Sequence, residues 1–259
     1  MDYGICIVPA APVRKEPSHR SEMVNQLLFG ETIQVFEKKD EWFRIVSTFD
    51  QYEGWVTFHL IELISNFPEH SSRFVSSDLV SEIITATHPI HIPAGSSLTG
   101  FDKVSRKLWK PEFRFEGRYS DASLPIAEQI VPTAFQWLNA PYLWGGKTLM
   151  GTDCSGFVQT VFKICGFTLH RDAWQQQQQG TSVTEDTRAG DVAFFHNEHG
   201  RVIHVGIIIS HNRIIHASGK VRIDELDTKG ILNHELKKYT HHLHSVKRMS
   251  YENKFLTAL

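Results

Sequence analysis

Cysteine is scarce in this chain, and the three present, Cys6, Cys154 and Cys165, include no CxxC pair. An odd, widely separated set argues against a disulfide framework and against a multi-cysteine zinc site, and leaves at least one thiol free. An excess of charge is missing too. Lys plus Arg number 27 against 29 Asp plus Glu, a formal charge of −2, so no extended field recruits nucleic acid or an anionic membrane. No run approaches the roughly 18 apolar residues of a membrane span. The opening MDYGICIVPAAPVRKE has no basic leader followed by an apolar stretch. The expectation from these absences is a soluble, cytoplasmic, metal-free monomer with no cofactor and neither nucleic-acid nor membrane partners.

What is present is ordinary globular composition: 259 residues, 41% hydrophobic and 22% charged, with 17 Gly and 10 Pro, which suits two domains, or three if some are small β modules. Up to about residue 64 the apolar residues come in short bursts (Ile5, Ile7, Val8; Ile33, Val35, Phe36; Trp42, Phe43, Ile45, Val46; Trp55, Val56) punctuated by Pro, Gly and charged turns. That spacing predicts a small all-β barrel over 1–66. The polar stretch 65–77 reads as a connection, and 78–122, with Ile83, Ile84, Ile90 and Ile92, reads as a second small barrel. From 124 the texture changes. Ile126, Ile130, Ala134, Phe135 and Leu138 recur at the spacing of an amphipathic helix interrupted or bent at Pro132, and Cys154, Phe157, Val158, Val161, Phe162 and Cys165 form one stripe of a second helix. Strand-like runs follow at Val192 to Phe195, Val202 to Ile209 and Ile214 to Ala217. The fold class expected is α+β, with helices packed on an antiparallel sheet over 124–259, preceded by one or two small barrels. Gln175 to Gln179 is a polar loop or helix face.

Cys154 opens its helix behind Gly151, Thr152 and Asp153. Unpaired N–H groups and the positive end of the helix dipole favour a thiolate there, lowering a thiol pKa from about 8.5 to roughly 3.5–7.5. On position alone Cys154 is equally the first apolar residue of a buried stripe, as Cys165 is at the other end. A thiolate nucleophile needs a base, and two histidines interrupt apolar strands: His204 in RVIHVGIII and His216 in RIIHAS. The remaining histidines, including the 241–244 tract HHLH, lie in polar surroundings and read as solvated, with HHLH able to catch a metal adventitiously. For His204 and His216 to cooperate they must share a sheet face. A two-residue turn at His211-Asn212 would separate them; a three-residue loop, Ser210-His211-Asn212, with Asn212 left-handed, would unite them, and a bulge is the other way to restore parity. The three-residue loop is expected. His204 would then take the Cys154 proton while His216 holds its other ring nitrogen and so fixes its tautomer.

The blocks Pro141-Tyr-Leu-Trp-Gly-Gly146, Thr152-Asp-Cys-Ser-Gly-Phe157, Gly190-Asp-Val192, His204-Val-Gly206 and His216-Ala-Ser218 occur in the order found in the NlpC-type papain-like cysteine peptidases, which cut bacterial cell-wall peptides, and the chain resembles that family over roughly 124–240. The β modules ahead of it resemble bacterial SH3-like barrels. SEMVNQLLFGE at 21–31, YEGW at 52–55 and HRDAWQQ at 170–176 are similar to the dipeptidyl-peptidase VI type, the γ-D-glutamyl-L-diamino acid endopeptidases.

The resemblance implies a papain-like fold, Cys154 as nucleophile, His204 as base and His216 as the third polar residue. It implies that Tyr142 joins the Cys154 backbone N–H at the oxyanion. In this type an SH3-like barrel closes one end of the groove, and acidic and tyrosyl groups hold the free amine of an N-terminal L-Ala. The matching residues are Asp172, Tyr52 and Glu22, with Glu31 as alternative to Glu22. Trp144, Asp153 and Ser155 would line the groove beside the nucleophile, and Ala173 stands where the family often has Ser. The activity implied is hydrolysis of the γ-D-Glu–diamino acid bond of murein peptides bearing a free L-Ala, in peptide recycling. The rivals are another cell-wall amidase or endopeptidase specificity, an acyltransferase, and a wall-peptide binding protein with an idle cysteine.

Overall fold

The computed structural model describes residues 2–65 and 73–250, so most of the polar connection anticipated at 65–77 lies outside the described residues. The chain divides into two units, Met1–Leu124 and Pro125–Leu259. No helix among the described residues is long and apolar enough to cross a membrane.

The N-terminal unit opens with β1 (Asp2–Cys6), β2 (Ala10–Arg14), β3 (Met23–Leu28), β4 (Thr32–Lys39), β5 (Trp42–Ser47), β6 (Glu53–Thr57) and β7 (Ile61–Ile64). They form one antiparallel sheet in the order β3-β2-β6-β5-β4-β1-β7. Period-two alternation turns Ala11 and Val13, Ile33 and Val35, and Phe43 and Ile45 into a single core with Cys6, Leu27, Val56 and Ile61. Beyond residue 73 the strands are shorter: β8 (Phe74–Ser76), β9 (Val80–Ile84), β10 (Ile90–Pro93), β11 (Arg114–Glu116) and β12 (Tyr119–Asp121). The stretch anticipated as a second barrel makes a three-stranded sheet β10-β9-β11, while β12 pairs with β8. Its aromatic core of Phe74, Phe101, Phe113 and Phe115 also takes in Phe29, from the end of β3. The Phe29 carbonyl accepts from the Ser97 N–H at 2.9 Å, tying the two parts into one unit.

The C-terminal unit contains α1 (Ile130–Phe135), a hairpin of β13 (Lys147–Thr148) and β14 (Gly151–Thr152), α2 (Cys154–Ile164), α3 (Ala173–Gln176), β15 (Thr181–Ser182), β16 (Val192–His196), β17 (Val202–Ser210), β18 (Arg213–Ser218), β19 (Lys220–Leu226), β20 (Gly230–Asn233) and β21 (Lys238–Arg248). The antiparallel sheet expected from the sequence is present and is closed: β16 to β21 pair in series, and β21 pairs with both β16 and β20. A closed sheet has no exposed edges, and its inner face becomes a core. That core is Ala193, Phe195, Ile208, Ile214, Leu226, Ile231 and Val246.

Helix is less than the sequence suggested. The stripe from Ile126 to Leu138 yields only a 3-10 turn at Ala127–Gln129 and the six residues of α1. Pro132 does not bend it, since a proline in the first helical turn replaces an N–H that has no intrahelical acceptor. The run ends in turns and at Asn139, whose φ of 69° stops any helix. α2, eleven residues and buried throughout, is the substantial helix, and it packs on β17 and β18.

The β17–β18 turn departs from the expected loop. Ser210 faces Arg213 across a two-residue turn, while Ile208 faces Ile214, so Ile209 is the extra residue of a bulge. Asn212 is not left-handed. The bulge restores the parity that the short turn alone would destroy, and Gly206 faces His216, leaving His204 and His216 as a diagonal pair on one face.

Candidate active site

Asp153 caps α2, its Oδ1 accepting from the Gly156 N–H at 2.7 Å and its Oδ2 from the Gly145 N–H at 2.8 Å. Gly156 is required because a Cβ there would lie 2.2 Å from the Gly146 carbonyl oxygen. The loop before the helix is therefore held against its first turn. Tyr142 is held from both sides, its N–H donating to the Gly219 carbonyl after β18 while its backbone bridges to Thr152 before Cys154. Within this unit the folding therefore gathers Tyr142, Cys154 and the end of β18.

Cys154 is buried, and its sulfur accepts from the backbone N–H of Val205, the residue after His204, and from that of Ser155. His204 Nε2 lies 2.8 Å from His216 Nδ1, and His216 Nε2 lies 2.9 Å from Asp224 Oδ2. Asp224 in turn accepts from Arg222 at 2.7 Å and 2.9 Å. This chain dictates the tautomers. The ionised Asp224 only accepts, so His216 carries its proton on Nε2; its Nδ1 then accepts from Nε2–H of His204, whose Nδ1 keeps the lone pair. The resulting base can take a proton from a thiol.

The expected thiolate is not the resting state. Burial, followed by the neighbouring Asp153 carboxylate, pushes the Cys154 thiol up to about 12, against the opposing pull of Arg171 and two backbone N–H groups. Desolvation exceeds what the helix terminus supplies. Burial, then His216 and His241, holds His204 well below the ordinary imidazole range. The pair rests as neutral thiol and neutral imidazole. Burial also raises the Tyr142 phenol, followed by the charges of Cys154 and Asp153, which keeps its hydroxyl protonated and able to donate.

Asp153 and Ser155, anticipated as groove lining, have another task. Arg171, buried to 1% exposure, clamps Asp153 through both nitrogens at 2.9 Å and 2.6 Å and donates to the Ser155 hydroxyl at 2.9 Å. Asp153 is a buried cap whose charge Arg171 offsets. Trp144, by contrast, is 59% exposed on the loop next to Tyr142. Asp172 begins α3 with a reciprocal cap, its side chain on the Gln175 N–H and the Gln175 side chain on the Asp172 N–H. The glutamine run is more than a polar face: Gln176 is buried and donates to the Ser155 and His170 carbonyls, while Gln179 bridges His170 and Thr168.

The other two anticipated residues lie in the N-terminal unit. Tyr52 is partly buried just before β6, and Glu22 is exposed with Lys15 at 4.0 Å. Glu31 is buried, and its Oε2 accepts from the Leu28 N–H, so this alternative closes the β3–β4 turn.

Sequence reasoning missed Asp224, Arg171 and His241. Asp224 and His241 sit in strand-like runs whose inward face becomes visible only when the barrel closes. Arg171 adjoins Asp172 in HRDAW, and that adjacency was the available signal. His241, read as solvated, is half-buried and stacked on His204 with ring centroids 4.0 Å apart. Cys165 is buried, its sulfur 3.6 Å from the Thr133 hydroxyl. Cys154 and Cys165 are free thiols.

Residues 139–240 match the model of the NlpC/P60 family, and residues 13–58 match that of the bacterial dipeptidyl-peptidase Sh3 domain. The gamma-D-glutamyl-L-lysine dipeptidyl-peptidase of Bacillus subtilis (strain 168) is 31% identical over 215 residues, 74% of this chain and 71% of its own. A protein of the same name from Bacillus cereus (strain ATCC 10987 / NRS 248) is 25% identical over 246 residues, 83% of this chain and 74% of its own. The crystal structure of an NlpC/P60 family protein from Bacillus cereus ATCC 10987 shares the fold, with a TM-score of 0.77 at 20% identity over 95% of this chain and 99% of that one. Together with a cysteine at a helix start beside a histidine–histidine–aspartate chain, these likenesses establish that the chain belongs to the NlpC/P60 family of peptidases, and that its peptidase domain follows a bacterial dipeptidyl-peptidase SH3 domain.

Proposed function

We propose that the protein hydrolyses the bond between γ-D-glutamate and a diamino acid in murein stem peptides whose N-terminal L-alanine carries a free amine. The observation that carries the reading is the hydrogen-bonded chain His204–His216–Asp224 beside a cysteine at a helix start, whose sulfur accepts from the N–H of Val205, the residue after His204. His204 Nδ1 takes the thiol proton as sulfur attacks the carbonyl carbon. The oxyanion is met by the Tyr142 hydroxyl and the Cys154 N–H, donors of a kind worth about 3–4 kcal/mol each. His204 then protonates the leaving amine, and water, deprotonated by the same nitrogen, releases the acyl group from sulfur. The names of the two Bacillus relatives support the choice of bond. Asp172 at the start of α3 is the proposed acidic contact for the amine: an acylated terminus would take water from this carboxylate without supplying the opposite charge. A free L-alanine amine exists only on peptides already detached from glycan, so the fitting role is recycling of released peptides.

Mass spectrometry of digests tests this reading. L-Ala-γ-D-Glu-diaminopimelate should yield L-Ala-D-Glu, its N-acetylated form should stay intact, and Cys154→Ala should lower turnover by about four to six powers of ten. Equal cleavage of the acetylated peptide would remove the amine gate. Retention of more than about a tenth of the activity by the alanine variant would remove the nucleophile.

A further inference from the structure

The inner face of the barrel is apolar along most of its length, but near its polar end three imidazoles come together: His204 on β17, His216 on β18 and His241 on β21, with one nitrogen from each within 4.8 Å of the others. In composition this is a metal site; in geometry it is not. A metal ion must lie close to the plane of every ring that binds it, at about 2.0–2.1 Å from nitrogen. His241 lies over His204 nearly parallel to it, with centroids 4.0 Å apart and planes 25° apart, so one ion cannot sit in both planes while the stack persists. The nitrogen pair between His204 and His216 is also occupied by their own hydrogen bond at 2.8 Å.

The stack has a different use. His204 has to present Nδ1 to the thiol and Nε2 to His216 at the same time, which fixes rotation about both of its side-chain torsions. His216 restrains one nitrogen, but a single hydrogen bond leaves the ring free to tilt about it. His216 meets the His204 ring edge-on, at 86°, while His241 covers its face. Phe195 on β16 closes another side at 5.8 Å from His204 and 6.0 Å from His241. His241 is itself anchored, its Nδ1 2.9 Å from the Thr240 hydroxyl. We infer that His241 is a positioning residue for the general base, a flat half-buried lid that locks the His204 ring in the plane required for proton transfer and keeps water off it. The part of this concerning catalysis rests on the peptidase reading; the part concerning the ring and its protonation does not.

The titratable groups acting on His204 are His216 from β18 and His241 from β21, with Asp224 and Arg222 from β19 beyond His216; the Cys154 sulfur of α2 is held by the N–H of Val205, the residue after His204, and Phe195 from β16 carries no charge. His241 contributes on two counts, by excluding water and as a like charge whenever it is protonated, and both keep His204 neutral. A phenyl ring would preserve the first and the stacking face. A small side chain would preserve neither.

Three variants separate these effects: His241→Ala, His241→Phe and, as a control, His242→Ala, an exposed neighbour opposed to His196. The His204 ring is titrated by NMR in the Cys154→Ala background, where no turnover is needed, and kcat and KM are measured with the cysteine present. His241→Ala should move the His204 titration upward by at least about half a unit. It should lower kcat by at least roughly tenfold with KM within about twofold. His241→Phe should keep the titration low and bring kcat back to within about threefold of the parent, and His242→Ala should change neither. If the alanine variant does not fold, judged by its melting transition, His241→Asn takes its place with the same expectation. An unmoved titration with unmoved kcat, or Ala and Phe variants that lose activity alike while folded, overturns the assignment. Absence of turnover in the parent on every murein peptide would fail the proposed function and leave the NMR result to decide the ring's role.

Discussion

Asp224 and Arg171 carry no chemistry to the substrate, yet both support the two residues that do. Burial works to raise the Asp224 carboxyl, and its bonds to His216 and Arg222 outweigh that and hold it below the usual carboxylate range. An amide in its place can donate to His216 Nε2 and drive the proton to Nδ1, which reverses the tautomer of the whole chain. Replacing the acid of a serine-protease triad costs about 10⁴ in kcat; because Asp224 acts through one further imidazole, Asp224→Asn should cost about 10–100-fold with KM little changed, measured by steady-state kinetics. Arg171 offsets a carboxylate that is buried beside the nucleophile. Arg171→Met leaves Asp153 charged and unpaired, so urea unfolding of the C-terminal unit should show a loss of about 3–5 kcal/mol, and the double variant Arg171→Met, Asp153→Asn should regain part of it. The resting thiol also belongs at this scale. A motif places a cysteine at a helix tip, but the balance between dipole and desolvation depends on what covers the sulfur, and here burial prevails.

Among the elements, the β17–β18 hairpin decides whether two histidines are a pair or strangers. Its two-residue turn would put them on opposite faces, and the bulge at Ile209 brings them back to one. Opposite His216 stands Gly206, where a Cβ would come within 2.8 Å of the His216 Cβ. The glycine of the His-Val-Gly block is therefore a clearance for the second imidazole. Gly206→Ala should displace His216 and lower kcat by about 10–100-fold while the domain still melts cooperatively, a combination that kinetics and circular dichroism together detect. In α2 the sequence stripe and the structure agree because the helix is local: its cap, its first-turn glycine and its apolar face are all within twelve residues. The stretch around α1 shows the opposite case, in which helical spacing exists but turns take over.

For the molecule as a whole, three imidazoles inside one barrel make stability depend on pH. Burial first lowers His204, His216 and His241 from the ordinary 6.5, helped by neighbouring imidazoles at His204 and His241 and by Arg222 at His216, and it takes His241 to about 4. Above pH 6.5 both folded and unfolded chains hold them neutral, and their contribution to stability is complete. As pH falls below 6.5 the unfolded chain binds protons that the folded one refuses, so stability declines, down to about pH 4 for His241. Each imidazole kept neutral adds a slope of up to about 1.4 kcal/mol per pH unit within its window. Calorimetry at pH 7.5 and pH 5.5 should show the transition of the C-terminal unit moving to lower temperature at the acid value, and His241→Phe should reduce that movement.

Short-range pattern encodes the candidate nucleophile at a helix start, two histidines as the polar exceptions of apolar strands, and the ordered blocks shared with the NlpC/P60 family. Those depend on periodicity and neighbours within a few residues, which a linear chain displays. Tertiary structure alone decided the closure of β16 to β21, the choice of a bulge over a longer loop, the recruitment of Asp224, Arg171 and His241, and the neutral resting state of the thiol. Each of these depends on pairings tens of residues apart or on how much water is left around a charge, and both are set by the folded barrel rather than by any local stretch of chain.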